Sequence, residues 1–218
     1  MRHKGFIPWD NDVDIAMPRP DYERLTAEFS SEGLSLHCLE RQKDWHYPFV
    51  KITDDKTLVI EKCFRKREIG VWIDVFPIDG FPSTKAMRRT ALERRLLLYC
   101  SAVRLGAKPK KLYRAILKTI VQIILWIFPK QFFLRAIKKC TTRYGWEGQP
   151  YAAVSCGNMH KENMPMSCAQ NFVDVEFEGR KYKAFQGWDT YLTNSYGDYM
   201  TLPPEEERIT HPIQAFWK

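Results

Sequence analysis

The chain has 218 residues, 44% of them hydrophobic, with seven Trp and thirteen Phe. That composition excludes a disordered chain, and the length is enough for one domain with a sizeable buried core. The formal charge of +8 is unevenly placed: sixteen Lys and Arg and one acid, Glu93, fall between Lys85 and Arg143, which puts that stretch at +15 and the remainder at −7.

In chain order, Gly5 to Trp9 reads as a loop running into the acids Asp10, Asp12 and Asp14. Asp12 to Met17 alternates acidic and apolar residues, the period of a strand with one face buried, and Pro18 and Pro20 stop it. Pro20-Asp21 opens an acidic first turn, and Tyr22, Leu25 and Phe29 share one face, so the spacing predicts a helix to about Ser30, ended by Gly33. Strands are expected at Leu34–Leu39, Tyr47–Thr53 and Thr57–Lys62, with Asp54-Asp55-Lys56 as a turn. Another is expected at Gly70–Phe76, leaving through a turn-rich exit at Pro77–Pro82. From Ser83 to about Gly145 the pattern is helical and basic, with breaks near Gly106–Pro109 and at Pro129 that predict three helices. Val173–Phe177 and Lys181–Phe185 flank Glu178-Gly179 as a hairpin. Gly187–Ser195 is a short helix ending at Tyr196-Gly197, and the tail from Leu202 to Arg208 is loop or partial helix.

The six cysteines (Cys38, Cys63, Cys100, Cys140, Cys156, Cys168) include no Cys-x-x-Cys pair, so neither a structural zinc site nor a dithiol motif is indicated. They read as reduced, mostly buried thiols. The opening MRHKGFIPWDND carries no apolar signal-peptide core, and a cytoplasmic protein is expected. The apolar run Ala115–Phe128 is shorter than the ~20 residues of a membrane span. Arg114, Lys118 and Gln122 give it one polar stripe, which suits a helix packed on the body or lying in a membrane interface.

The chemistry rests on the acids. On a strand, residues two apart project to the same face, so Asp12 and Asp14 point together. Converging carboxylates repel unless a cation lies between them, and hard ions such as Mg²⁺ or Mn²⁺ take oxygen ligands of this kind. Asp74 is isolated in the apolar run Val-Trp-Ile-Asp-Val-Phe, where a buried carboxylate needs an ion pair or a metal. An ordinary pairing with Arg or Lys is its competing explanation. Together Asp12, Asp14 and Asp74 form a candidate three-carboxylate metal and catalytic site. Asp74 is also a candidate base for an acceptor hydroxyl. Arg2, His3 and Lys4, just before the acids, are candidates to bind a diphosphate, with Arg19 a weaker one. The histidines His37, His46, His160 and His211 show no mutual ligand spacing.

Three blocks carry a family resemblance: Arg2-His-Lys-Gly-Phe-Ile-Pro-Trp-Asp-Asn-Asp-Val-Asp-Ile-Ala-Met-Pro-Arg-Pro-Asp-Tyr22, then Trp72-Ile-Asp-Val-Phe-Pro-Ile-Asp79, then Tyr196-Gly-Asp-Tyr-Met-Thr-Leu-Pro-Pro-Glu-Glu-Glu-Arg208 followed by His211. In this order they resemble the LicD family of bacterial phosphorylcholine transferases, related to fukutin-type proteins. The resemblance implies an α+β, nucleotidyltransferase-like mixed sheet with flanking helices, one domain over 1–218, and a basic helical insertion at 83–145. It implies metal acids at Asp12, Asp14 and Asp74, and transfer of phosphocholine or a similar phospho-alcohol from a CDP-choline-like donor to a hydroxyl of a glycan such as lipopolysaccharide or teichoic acid. The family's Gly-Gly turn ahead of Arg2 is missing, and Asn11 stands where an acid is common. The alternative is therefore a truncated, catalytically impaired remnant that binds anionic glycan or membrane through its basic helices. No nucleic-acid motif accompanies the basic stretch. A lipid-linked acceptor and peripheral contact with the inner membrane face fit it better.

Overall fold

The computed structural model describes residues 1–61, 67–105, 119, 123–125, 127–129, 131–208, 210 and 213–218. Its main sheet is built around the long strand β6 (Trp72–Phe81), which parallel β1 (Asp14–Pro18) flanks on one edge. The other edge is shared in tandem by antiparallel β3 (Val50–Asp54) and β7 (Tyr151–Val154). Beyond them lie β2 (Leu34–His37) and β8 (Asn163–Pro165), completing six strands. A mixed sheet with flanking helices is the α+β class expected.

Strand β6 runs five residues past its predicted end at Phe76, through most of the expected turn. Pro77 lacks an N–H, and a central strand normally rejects it. Here it falls where the β3 ladder has ended at Val75 and the β7 ladder begins at Ile78, while its carbonyl accepts from the Ser155 amide (3.0 Å) and hydroxyl (3.2 Å). Strand β1 begins at Asp14, so Asp12 lies in the segment leading into it rather than on the strand; pairing still reaches back to Val13, whose carbonyl accepts from the Asp74 amide at 3.0 Å.

Helix α1 (Arg19–Glu28) starts with Pro in its first turn, and Asp21 favours its positive end. The Arg41 guanidinium closes its other end by donating to the Thr26, Ala27 and Phe29 carbonyls. Alternation along the strands puts Val50 and Val75 into a buried cluster with Tyr22, Leu36 and Cys38 beneath this helix. The basic segment contributes α2 (Thr84–Leu105) and α3 (Phe132–Thr141), which pack on each other. The middle of the predicted three helices, and most of the run 115–128, lies outside the described residues. Helix α4 (Met166–Gln170) joins Ile78, Val154 and Met164 in a second cluster.

A two-stranded hairpin, β9 (Phe172–Phe177) and β10 (Arg180–Phe185), turns at Glu178 (φ 50°) and Gly179 (φ 71°), as predicted. Helix α5 (Trp188–Tyr196) follows, and β4 (Thr57–Glu61), β5 (Arg67–Ile69) and β11 (Ala215–Trp217) form a third sheet. The described cysteines are all free thiols. Among the described residues no helix is long and apolar enough to cross a membrane.

Candidate active site

Register sets the heart of the site. Asp14 is the parallel partner of Asp74, and Lys51 is the antiparallel partner of the same Asp74. Partners in register present side chains to one face, so Lys51, Asp74 and Asp14 form a row across three adjacent strands, on the face opposite Val50 and Val75. Lys51 Nζ lies 2.8 Å from Asp74 Oδ1 and 3.1 Å from Oδ2. The ion pair weighed as the ordinary explanation for Asp74 is therefore present, and it stands beside the acid pair rather than away from it.

Burial first, then the charges of Asp12, Asp74 and Asp10, push the Asp14 carboxyl up to about 6, while Lys51 pulls it down. Asp10 is raised as well, by burial and then by its hydrogen bond with Asp12. A turn closed by the Asp10 amide on the Ile7 carbonyl (2.9 Å) delivers it there. No three His, Cys, Asp or Glu side chains among the described residues already stand at metal-ligand spacing. The donor chemistry nevertheless fits a hard divalent cation: the groups are all oxygen, they repel one another, and they crowd Asp14 toward neutrality.

Folded Asp14 holds its proton more tightly than an ordinary Asp, whose reference value is 3.8. Its contribution to stability is therefore greatest below that value and is lost as pH rises toward about 6. A cation bound there would compete with protons for the same carboxylate. Mn²⁺ is expected to raise the thermal midpoint more at about pH 7 than at about pH 5; equal gains in a melting series would place the ion elsewhere.

The acids open into a cleft of about 850 Å³ walled by the first and last motifs together: Arg2, His3, Phe6, Trp9, Asp10, Asp12 and Asp14 from one, Tyr196, Asp198, Tyr199, Leu202 and Glu207 from the other. The basic residues have partners. Arg2 donates to the carbonyls of Tyr199 (2.7 Å) and Thr201 (3.0 Å), tying the two motifs, and its Nε donates to His3 Nε2 at 3.1 Å. Lys4 pairs with Glu176 on β9 at 3.4 Å and is not among the cleft's walls. The hairpin tip grips this segment: the Glu178 amide donates to the Lys4 carbonyl and Glu178 Oε1 accepts from the Phe6 amide, both at 2.9 Å. Gly5 permits the approach, since a Cβ there would meet Glu178 Oε1 at 2.1 Å. Arg208 caps the wall by stacking on Trp9 at 4.9 Å.

Arg19 does not line the cleft. It is buried in a two-pronged pair with Asp79, both bonds 2.6 Å, which a lone basic residue after Pro18 does not disclose. Lys51 was missed for a similar reason: Phe-Val-Lys-Ile-Thr reads as one charge on a strand, and only the register of β3 on β6 brings it to the acids. His37 hydrogen-bonds Thr53 and Gln42 and stacks on Trp45, a structural role. His211 lies outside the described residues.

Residues 1–95 match the family model described as "LicD/FKTN/FKRP, nucleotidyltransferase domain". Over 223 residues the chain is 30% identical to the Lipopolysaccharide cholinephosphotransferase LicD of Haemophilus influenzae (strain ATCC 51907 / DSM 11121 / KW20 / Rd), covering 98% of this chain and 83% of that protein. No solved structure matches the chain. The nucleotidyltransferase-domain match over residues 1–95, together with 30% identity over 98% of the chain to a cholinephosphotransferase, defines a transferase. The chain belongs to the LicD family.

Proposed function

We propose that the chain transfers phosphocholine, or a similar phospho-alcohol, from a CDP-linked donor to a hydroxyl of a cell-surface glycan such as lipopolysaccharide or teichoic acid. The cleft carries this reading, because it joins an acid cluster to room for a nucleotide and an acceptor between the first and last motifs. The Haemophilus relative is named for cholinephosphate transfer to lipopolysaccharide, which supports the donor and acceptor classes.

Asp12 and Asp14, with Asp74 behind them, are the residues that would hold Mg²⁺ or Mn²⁺, and the bound ion would neutralise charge on the donor's diphosphate. In the transfer, the acceptor oxygen bonds to the phosphorus bearing the alcohol. The bond from that phosphorus to the bridging oxygen breaks, CMP leaves, and the hydroxyl proton passes to a carboxylate of the cluster. Arg2 and His3 line the donor side; Lys4, turned to Glu176, anchors the hairpin instead. Incubation with CDP-choline, Mg²⁺ and lipopolysaccharide is expected to release CMP and leave choline on the glycan. CMP release without any gain of choline by the glycan would reject the acceptor assignment.

The basic helix supports a further element of this reading, contact with the anionic inner face of a membrane. The outward stripe of α2 sets Lys85, Arg88 and Arg95 beside Leu92 (60% exposed), Leu96 (58%) and Tyr99 (69%). Aliphatic and aromatic side chains flanked by arginines are the pattern of a helix lying in a lipid interface. Each basic residue near such a surface contributes about 1 kcal/mol, so Arg88→Glu with Arg95→Glu is expected to weaken binding to phosphatidylglycerol vesicles by about tenfold or more. Unchanged sedimentation with vesicles would remove this contact from the account.

A further inference from the structure

The segment that carries Asp10 and Asp12 has no helix or strand of its own between Met1 and Val13, so contacts from elsewhere in the chain must fix it. Its far end is tied to the main sheet, where the Val13 carbonyl accepts from the Asp74 amide. Its near end is held by the tip of the β9–β10 hairpin. The Glu178 amide donates to the Lys4 carbonyl, Glu178 Oε1 accepts from the Phe6 amide, and the Phe6 and Phe177 rings meet edge to face with centroids 5.0 Å apart. Both rings line the cleft. From Phe6 the link runs on: the Ile7 carbonyl accepts from the Asp10 amide, and Asp10 is hydrogen-bonded to Asp12. The hairpin serves as a post because its base is fixed. Phe185 packs against the buried cluster of Ile78, Val154 and Met164, and pairs with the Phe172 ring at 5.4 Å.

The turn itself is an unusual place for glutamate. Residues 178 and 179 form a two-residue loop, both left-handed, with Glu178 at φ 50°. Asn-Gly is the ordinary pair there, since asparagine tolerates the left-handed backbone better than glutamate does. Among the described residues, Lys4 (φ 52°) and Glu178 are the non-glycine positions with positive φ, and they are bonded to each other. Glutamate reaches one methylene further than asparagine, and that reach brings its carboxylate to the Phe6 amide. We propose that Glu178 is a positioning residue for the transfer: from outside the cleft it sets residues 4–6, and through them the Asp10–Asp12 turn and the Phe6–Phe177 wall. The inference rests on the transferase reading and adds to it a residue that touches no substrate. What the contact needs is an oxygen acceptor at that reach; the nearby Lys4 ammonium is paired with Glu176.

The test compares Glu178→Gln and Glu178→Asn with the native chain in CMP release from CDP-choline, alongside thermal melting. Glutamine keeps an acceptor oxygen at the same reach and is expected to stay within about twofold of the native kcat. Asparagine suits the turn and is expected to melt at or above the native midpoint, yet to lose about tenfold in kcat, because the acids are no longer held in place against the donor. An Asn variant with native kcat overturns the inference, as does a Gln variant that loses as much as the Asn one. A loss that comes with a lower melting point in the Asn variant overturns it too, since Glu178 would then serve stability alone. No turnover in the native chain would remove the transferase reading, and amide exchange over residues 4–10 would then judge the hold itself. Faster exchange in the Asn variant than in the native and Gln chains supports it, and equal rates in all three overturn it.

Discussion

Asp12→Asn and Asp14→Asn are each expected to lower phospho-alcohol transfer by about 10³-fold or more, with the fold retained. Neither side chain belongs to a buried hydrophobic cluster: Asp12 precedes β1, and Asp14 is its first residue, partly shielded but open to the cleft. Asparagine keeps the size and removes the charge, so the loss falls on cation binding and on neutralisation of the donor. The same change carries an opposite sign for stability. Asp14 is held above its ordinary range by burial and by its acidic neighbours, so its ionised form opposes folding when no cation is present. Asp14→Asn is therefore expected to melt higher than the native chain without metal at neutral pH, and to gain less from added Mn²⁺. Turnover and thermal melting on one preparation check both. A variant that loses activity because it melts lower would mark Asp14 as structural.

Arg19→Met is expected to destabilise the chain by about 3–5 kcal/mol, because it strands the buried Asp79 without its partner. Arg19 donates through Nε and Nη2 to the two carboxylate oxygens, and the pair ties the start of α1 to β6 beside Ser155. Replacing both partners, Arg19→Met with Asp79→Leu, is expected to recover most of the loss, since two apolar groups need no desolvation compensated. Urea unfolding of the three chains measures it. An unstable double variant would show that the pair orients α1 rather than merely neutralising a buried acid.

The parts of the fold legible in sequence were those with a local signal. Pro20-Asp21 and Gly33 bracket α1, and Glu178-Gly179 turns its hairpin by left-handed φ at both residues. The strands β7 and β8 escaped notice because Tyr-Ala-Ala-Val and Asn-Met-Pro have little strand preference of their own. The place of β7 comes from pairing with residues 78–81, the length of β6 that Pro77 seemed to forbid, and β8 pairs with β7 in turn. The acids of the site were legible as residues. Their arrangement was not, because the Lys51–Asp74–Asp14 row and the bridge from Arg2 to the Tyr199 and Thr201 carbonyls join positions far apart in the chain. Local pattern showed the charges, and long-range register decided which of them meet. That is why Arg19 and Lys51 exchanged importance between sequence and structure.

Metal dependence of CMP release is the most direct measurement. With CDP-choline and lipopolysaccharide, release should stop in EDTA and return on adding Mg²⁺ or Mn²⁺. Asp12→Asn with Asp14→Asn should show no such recovery. Turnover that persists undiminished in EDTA, or that the double variant retains, would contradict a transferase built on these carboxylates.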